Sequence, residues 1–330
     1  MKSVKVLVTS AVGDECLKLI SSVSPSIKLT DVSGLFRAEL SGDLSLKAKL
    51  DAHLAEVEII YGLRLPQNIL VRAPNLKWMQ VMSAGVERFL DIEMVESPVI
   101  MTNVSGIHAV PISEFVIGLM LMFVKQTPIC IHLKQEKKWE RPVPAILHSK
   151  TVGVVGLGSI GREVARLAKA FNMRVLATRR SAKQVGRARY VDLMLPTNRI
   201  KHLLSESDFV VLAVPFTPET QNLIGEEELR MMKPSAYLIN IARGGIVDEE
   251  ALVHALEERW IAGAGLDVFS TEPLPHNSRL WELPNVILSP HISGGMENYA
   301  VRATELFAEN LERYLAGKRL LNVVDKKRGY

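Results

Sequence analysis

The stretch "VGVVGLGSIGREVA" constrains the fold more than any other part of the chain. It places Gly156, Gly158 and Gly161 in G-x-G-x-x-G spacing, directly after an apolar run and at the start of a helical pattern. Each glycine has a distinct physical task. The first permits a tight turn, the second lets backbone approach a pyrophosphate, and the third lets helix and strand pack closely. Ser159 and Ile160 then open the helix, whose unpaired N–H groups suit phosphate oxygens. A second apolar run, "MRVLAT", follows at the distance a dinucleotide-binding unit requires and ends at Thr178. This spacing predicts a dinucleotide site.

At the end of that second strand such a site usually carries an acid that accepts hydrogen bonds from the ribose hydroxyls of NAD. Here Arg179 stands eighteen residues beyond Gly161, with Arg180 beside it. A guanidinium repels nothing on a 2′-phosphate and binds it through two charge-assisted hydrogen bonds. The expected cofactor is therefore NADP(H) in preference to NAD(H), with Lys183 adding to the positive field.

The chain has 330 residues, 48% of them apolar and 23% charged, which suits a folded two-domain protein. Its net charge is +4, and the positive charge is concentrated. From Val164 to Val191 there is no acid, while Arg166, Lys169, Arg174, Arg179, Arg180, Lys183, Arg187 and Arg189 fall in that window. Aromatic residues are nearly absent from it, which leaves no stacking platform for single-stranded nucleic acid. Cys16 and Cys130 are too few for a disulfide framework, and the remaining histidines lack metal-ligand spacing. No metal, nucleic-acid or membrane partner is expected. The N-terminus lacks an export signal, so a cytoplasmic protein is expected. The apolar run Phe115 to Val124 is about half the length that spans a bilayer and reads as a buried helix.

Short apolar runs alternate with helical patterns in two blocks, the first over the opening hundred residues and the second after Lys150. The expected fold is α/β, with two Rossmann-like or flavodoxin-like lobes, each a doubly wound parallel sheet, and the active site in the cleft between them. A substrate-binding domain is expected over 1–102 plus 294–330, and a dinucleotide-binding domain over 103–293. The last helix, expected over Met296 to Ala316, returns to the first lobe, and the tail "DKKRGY" is expected to fray.

Three later segments place reactive side chains at strand ends: Arg243 in "NIARGGIVDEEAL", Glu272 in "GLDVFSTEPLP" and His291 in "SPHISGG". Singly, Arg243 also reads as a surface charge, Glu272 as a turn residue before Pro273, and His291 as a satisfied histidine after Pro290. Together with the glycine turn, "LINIARGGIVDEEALVHAL", "GAGLDVFSTEPLP" and "NVILSPHISG", in this order, make the chain resemble the D-isomer-specific 2-hydroxyacid dehydrogenase family, including its glyoxylate/hydroxypyruvate reductase-like members.

That resemblance implies that His291 is the acid/base, Glu272 its partner and Arg243 the substrate-holding residue. The chemistry agrees, because reducing a 2-keto acid builds negative charge on the carbonyl oxygen and needs a proton donor near neutrality. The resemblance also implies that Asp267 holds the nicotinamide carboxamide, for which a turn cap is the other reading. It assigns Val214, Pro215 and Ala242 to the cofactor, and Ala84 and Gly85 to the loop whose N–H groups bind the substrate carboxylate. Arg64 either faces the substrate or is a surface arginine. His108 supports the hinge, and Trp139 is placed near a tryptophan that enters a partner subunit's pocket in related reductases. A homodimer is implied. A dinucleotide-sensing corepressor-like protein and a reductase of a bulkier keto acid are the alternative readings.

Overall fold

The computed structural model describes residues 3–329, which divide into two compact units, Met1–Ile107 with Met296–Tyr330 and His108–Gly295. The expected boundaries fall five residues earlier and two residues earlier than these. Residues 103–105 stay with the first unit because Asn103 and Ser105 are bonded to Asn322, and Asn103 Nδ2 also donates to the Ala84 carbonyl at 2.7 Å.

Unit 1 carries five parallel strands, β1 (Val4–Val8), β2 (Ile27–Asp31), β3 (Ile59–Gly62), β4 (Trp78–Val81) and β5 (Ile100–Thr102), in the order β2-β1-β3-β4-β5. Helices α1 (Asp14–Ser22), α2 (Ser33–Leu40), α3 (Lys47–Leu54), α4 (Ile69–Arg72) and α5 (Ile92–Glu96) connect them. The central strands β3 and β4 are buried at every position, as expected of a sheet covered on both faces. One cover is the C-terminal helix Tyr299–Leu315, whose Ala303, Phe307 and Leu311 recur at helical spacing and are fully buried. Phe307 stacks on Tyr61 at 4.3 Å, and Thr304 Oγ1 lies 3.1 Å from the Tyr61 hydroxyl. Stacked pairs of this kind add about 1 kcal/mol beyond area burial.

The tail does not fray as expected. Lys326 Nζ donates to the carbonyls of Met94, Ser97 and Val99 at 2.8, 2.6 and 3.1 Å, and Val324 N donates to the Met101 carbonyl. A single ammonium with three rotatable donors thus pins the chain end to the α5–β5 connection. Tyr330 lies outside the described residues.

Unit 2 begins with α6 (Ala109–Val124) and α7 (Thr127–Gln135). The face of α6 formed by Ile112, Val116, Met120 and Phe123 is buried in the same cluster as β6 (Thr151–Val155), as the apolar run predicts. Then follow α8 (Ser159–Ala170), β7 (Arg174–Thr178), β8 (Gly186–Ala188), β9 (Val191–Leu195), α9 (Ile200–Glu206), β10 (Phe209–Leu212), α10 (Glu226–Met231), β11 (Tyr237–Asn240), α11 (Glu249–Glu257), β12 (Gly263–Leu266) and β13 (Val286–Leu288). The sheet runs β13-β12-β11-β10-β6-β7-β9-β8, parallel except for β8 against β9. Strand order reverses at β6, so the loop after β6 opens onto the crevice where doubly wound sheets bind nucleotides.

Among the described residues no single helix is long and apolar enough to cross a membrane, and no cluster of three histidine, cysteine or acidic residues could hold a metal.

Candidate active site

Every residue of unit 2 assigned to cofactor or chemistry sits at or beyond the carboxyl end of a parallel strand, or opens the helix that follows. Gly156 to Gly161 follow β6, Thr178 ends β7 with Arg179 and Arg180 beyond it, Val214 and Pro215 follow β10, Ala242 and Arg243 follow β11, Asp267 follows β12, and His291 follows β13.

The three glycines of the turn have different surroundings. Gly156 has φ +100°, and a Cβ there would lie 2.6 Å from the Ala213 carbonyl oxygen. At Gly161 a Cβ would lie 2.2 Å from the Gly156 carbonyl oxygen. Both are required by the protein's own packing. A Cβ at Gly158 would meet nothing within 4 Å, so the protein itself gives that position no reason to be bare. The N–H groups of Gly158, Ser159, Ile160 and Gly161 have no protein acceptor among the described residues, and no side chain caps α8. Open backbone, unpaired donors and a helix N-terminus together fit a pyrophosphate.

Thr178 is buried, and its Oγ1 accepts the Gly156 N–H at 3.2 Å, so it braces the turn from behind. Arg179 and Arg180 follow with exposed side chains. The basic window is partly neutralised: Arg166 pairs with Glu163, Lys169 with Asp192, and Arg174 with Glu206. No ion pair holds Arg179 among the described residues, and the field of Arg180 reaches Glu219. Arg179 and Arg180 stand directly beyond the end of β7, the position where a dinucleotide site meets the adenosine ribose.

His291 is held in an unusual backbone state, φ 55°, which side chains rarely adopt. Asp267 enforces it. Its carboxylate is fully buried and accepts the Ser289 hydroxyl at 2.6 Å, the Ile292 N–H at 2.9 Å and the Ser293 N–H at 2.9 Å, while its carbonyl accepts the His291 N–H at 2.9 Å. Asp267 thus holds the loop that carries His291, as a turn cap does.

His291 Nδ1 lies 2.8 Å from Glu272 Oε2, and Glu272 Oε1 accepts the Phe269 N–H at 3.1 Å. Both side chains are open to solvent, 48% and 37% exposed, so this pair is not a buried structural ion pair. With Nδ1 turned to the carboxylate, Nε2 is the nitrogen free to face a substrate.

Arg243 reaches the same neighbourhood through two devices that sequence reading missed. The buried Asn240 accepts the Ala242 N–H at 3.1 Å and donates to the Arg243 carbonyl at 2.9 Å, clamping the turn after β11. Gly244 then packs directly on the 269–270 backbone, since a Cβ there would lie 1.9 Å from the Phe269 carbonyl carbon. A polar residue ending the buried run "LIN" was the available signal. His108 supports the other side: its ring touches Gly294, where a Cβ would lie 2.9 Å away, and burial together with the Arg243 charge lowers its pKa.

In unit 1, Arg64 follows β3, and Ala84 and Gly85 follow β4. The Gly85 carbonyl is taken by Ser83 Oγ and the Ala84 carbonyl by Asn103 Nδ2, both at 2.7 Å. The Ala84 and Gly85 N–H groups have no protein acceptor among the described residues. Trp139 is 91% exposed.

The model of the D-isomer specific 2-hydroxyacid dehydrogenase, NAD binding domain, matches residues 117–293. A glyoxylate reductase from Thermococcus gammatolerans is 37% identical, over 80% of this chain and 80% of that protein. The structure of a D-isomer specific 2-hydroxyacid dehydrogenase from Xanthobacter autotrophicus Py2, in complex with NADPH and MES, superposes with a TM-score of 0.83 at 29% identity, covering 99% of this chain and 100% of that one. An NADPH-dependent glyoxylate/hydroxypyruvate reductase from Sinorhizobium meliloti, in complex with NADP and sulfate, does so with a TM-score of 0.83 at 25% identity and the same coverage.

Proposed function

We propose, on the premise that the chain belongs to the D-isomer-specific 2-hydroxyacid dehydrogenase family, that it reduces a small 2-keto acid of the glyoxylate or hydroxypyruvate kind to the D-2-hydroxy acid, with NADPH preferred over NADH. The observation that carries this reading is the His291–Glu272 pair at a strand end, with the Arg243–Gly244 turn packed on the 269–270 backbone that leads to Glu272.

What a nicotinamide supplies when bound is a hydride for the carbonyl carbon. The chain's own residues do the rest. Negative charge growing on the carbonyl oxygen draws a proton from His291 Nε2, while Glu272 on Nδ1 fixes the tautomer and the orientation of the ring. Arg243 pairs with the substrate carboxylate and polarises the carbonyl. The open N–H groups of Ala84 and Gly85 are donors of the kind that binds a carboxylate, the role the family resemblance implies for them. Arg179, with Arg180, selects the 2′-phosphate.

A dinucleotide sensor without turnover is not favoured, because relatives such as the glyoxylate reductase from Thermococcus gammatolerans are named as enzymes and the His291–Glu272 pair is intact. We also infer a homodimer, supported by the exposed apolar residues Ile129, Ile131, Trp139, Val143 and Ile146 within one stretch of unit 2.

Initial rates with glyoxylate and hydroxypyruvate, each with NADPH and NADH, test the reading. Rapid NADPH-selective turnover is expected, and replacing Arg179 and Arg180 by glutamine should cut the NADPH-over-NADH preference about thirtyfold. An equal loss on both cofactors would remove the arginines from the selection.

A further inference from the structure

Each carbonyl of the loop that follows β4 accepts a hydrogen bond from unit 1 itself. The Met82 carbonyl accepts the Tyr299 hydroxyl, the Ser83 carbonyl the Val104 N–H at 3.3 Å, the Ala84 carbonyl Asn103 Nδ2 at 2.7 Å, and the Gly85 carbonyl Ser83 Oγ at 2.7 Å. In a trans peptide the carbonyl and the N–H that follows it point in opposite directions. Holding the Ala84 carbonyl therefore sets where the Gly85 N–H is aimed. Ser83, Ala84 and Gly85 are half-buried, so a small anion can reach the N–H side of the loop.

Asn103 makes this arrangement definite. It is 5% exposed, and both its backbone and its side-chain polar groups are bonded. Its N–H donates to the Asn322 carbonyl at 3.2 Å, its carbonyl accepts Asn322 Nδ2 at 3.3 Å, and its Oδ1 accepts the Ser105 N–H at 3.0 Å. With Oδ1 engaged by a donor, Nδ2 is the end that must face Ala84. Among side chains of this length only asparagine offers an acceptor and a donor on one planar group, and an aspartate here would set oxygen against the Ala84 oxygen.

Asn322 stands behind it. Its φ of 52° is a state that asparagine tolerates better than most residues, and its Nδ2 also donates to the Ser105 carbonyl at 2.7 Å. The segment is anchored on both sides, by the Leu321 N–H on Asn310 Oδ1 at 2.7 Å and by the Val324 N–H on the Met101 carbonyl at 2.9 Å. A chain of hydrogen bonds thus runs from the C-terminal segment through Asn103 to the Ala84–Gly85 peptide.

We propose that Asn103, and behind it Asn322, are positioning residues for the keto acid, fixing the Ala84–Gly85 peptide so that the Gly85 N–H is presented to the substrate carboxylate. This rests on the reading of Ala84 and Gly85 as the donors that hold that carboxylate. Neither residue touches the substrate.

The test measures KM and kcat for glyoxylate, the Kd of the unreactive analogue oxamate in the presence of NADPH, and the Kd of NADPH. The proteins are the natural chain, Asn103→Asp, Asn322→Gly and, as a stability control in the same unit, Arg72→Gln, which breaks the Arg72–Glu39 pair. A misdirected N–H weakens binding in the ground and transition states alike, so it appears in KM and leaves kcat nearly unchanged. Asn103→Asp should raise KM and the oxamate Kd about tenfold, with kcat and the NADPH Kd within about threefold. Asn322→Gly, which keeps the left-handed backbone accessible, should act in the same direction by about threefold. Arg72→Gln should lower the melting temperature and leave KM unchanged. Variants of Asn103 and Asn322 that behave like Arg72→Gln, or that lower kcat at constant KM, would overturn the proposal. Should Asn103→Asp not fold, Asn322→Gly carries the same decision, because Asn103 itself remains in place. A natural chain that binds neither glyoxylate nor oxamate would overturn the carboxylate reading and the proposal with it, whereas binding that the variants leave unchanged would overturn the proposal alone.

Discussion

Two loops of unit 2 meet their hydrogen-bonding needs in opposite ways. The loop carrying His291 is complete within the chain: Asp267 accepts from Ser289, Ile292 and Ser293, and the strained backbone at His291 has no freedom left. The glycine turn after β6 is open: among the described residues four successive N–H groups at the start of α8 have no acceptor, and a Cβ on Gly158 would meet nothing within 4 Å. On the proposed reading, the proton donor is positioned by folding, whereas the glycine turn leaves its N–H groups to a ligand.

Mutations that separate stability from binding would break or sharpen this contrast. The largest effect is expected at Asp267→Ala. Removing the buried carboxylate strands the Ile292 and Ser293 N–H groups and releases His291 from its backbone state, costing about 3 kcal/mol of stability or more and lowering kcat as well. Denaturant unfolding alongside steady-state rates would check it; an unchanged unfolding midpoint would show the loop to be held by something else.

Gly158→Ala should do the reverse. Stability should stay within about 0.5 kcal/mol, because the added methyl touches no protein atom, while the Kd for NADPH rises about tenfold or more. Gly161→Ala, three positions on, is the control, since its Cβ would collide with the Gly156 carbonyl and unfold the turn. Equal destabilisation by both changes would mean that the open face of Gly158 has no functional content.

The smallest effect concerns His108. Its folded pKa lies below the ordinary 6.5, so between those two values the unfolded chain binds a proton that the folded chain refuses. Stability therefore falls as pH drops through 6.5 and levels off once the folded group is protonated too. His108→Asn should flatten that slope in pH-dependent unfolding; a slope that persists belongs to other groups.

The parts of this molecule legible in sequence are those whose signal is local. Glycine spacing after an apolar run marked the tight turn between β6 and α8, and uninterrupted runs such as "TVGVV" and "FVVL" marked strands buried on both faces. Edge strands were not legible. β2, "IKLTD", is at most half-buried and reads as a polar stretch, and the hairpin β8–β9 hides in an arginine-rich segment because β8 is wholly exposed. Long-range polar contacts were equally invisible. Nothing in "GLDV" announces that Asp267 bonds to residues 22 to 26 positions away, and nothing in "DKKRGY" announces that Lys326 is caged by carbonyls 227 to 232 positions away. Such bonds depend on which loops the fold brings together, and the spacing of residue types along the chain does not encode that.

The central claim is that His291, oriented by Glu272, donates the proton in a dinucleotide-dependent keto-acid reduction. The most direct measurement is the rate of NADPH oxidation with glyoxylate or hydroxypyruvate for the natural chain and for His291→Asn, with NADPH affinity measured on both. The account predicts turnover by the natural chain, a loss of roughly 10²–10⁴ in kcat for the variant, and NADPH binding altered by no more than a few-fold. A variant that turns over at the natural rate, or a natural chain that binds NADPH and reduces neither acid, would contradict it.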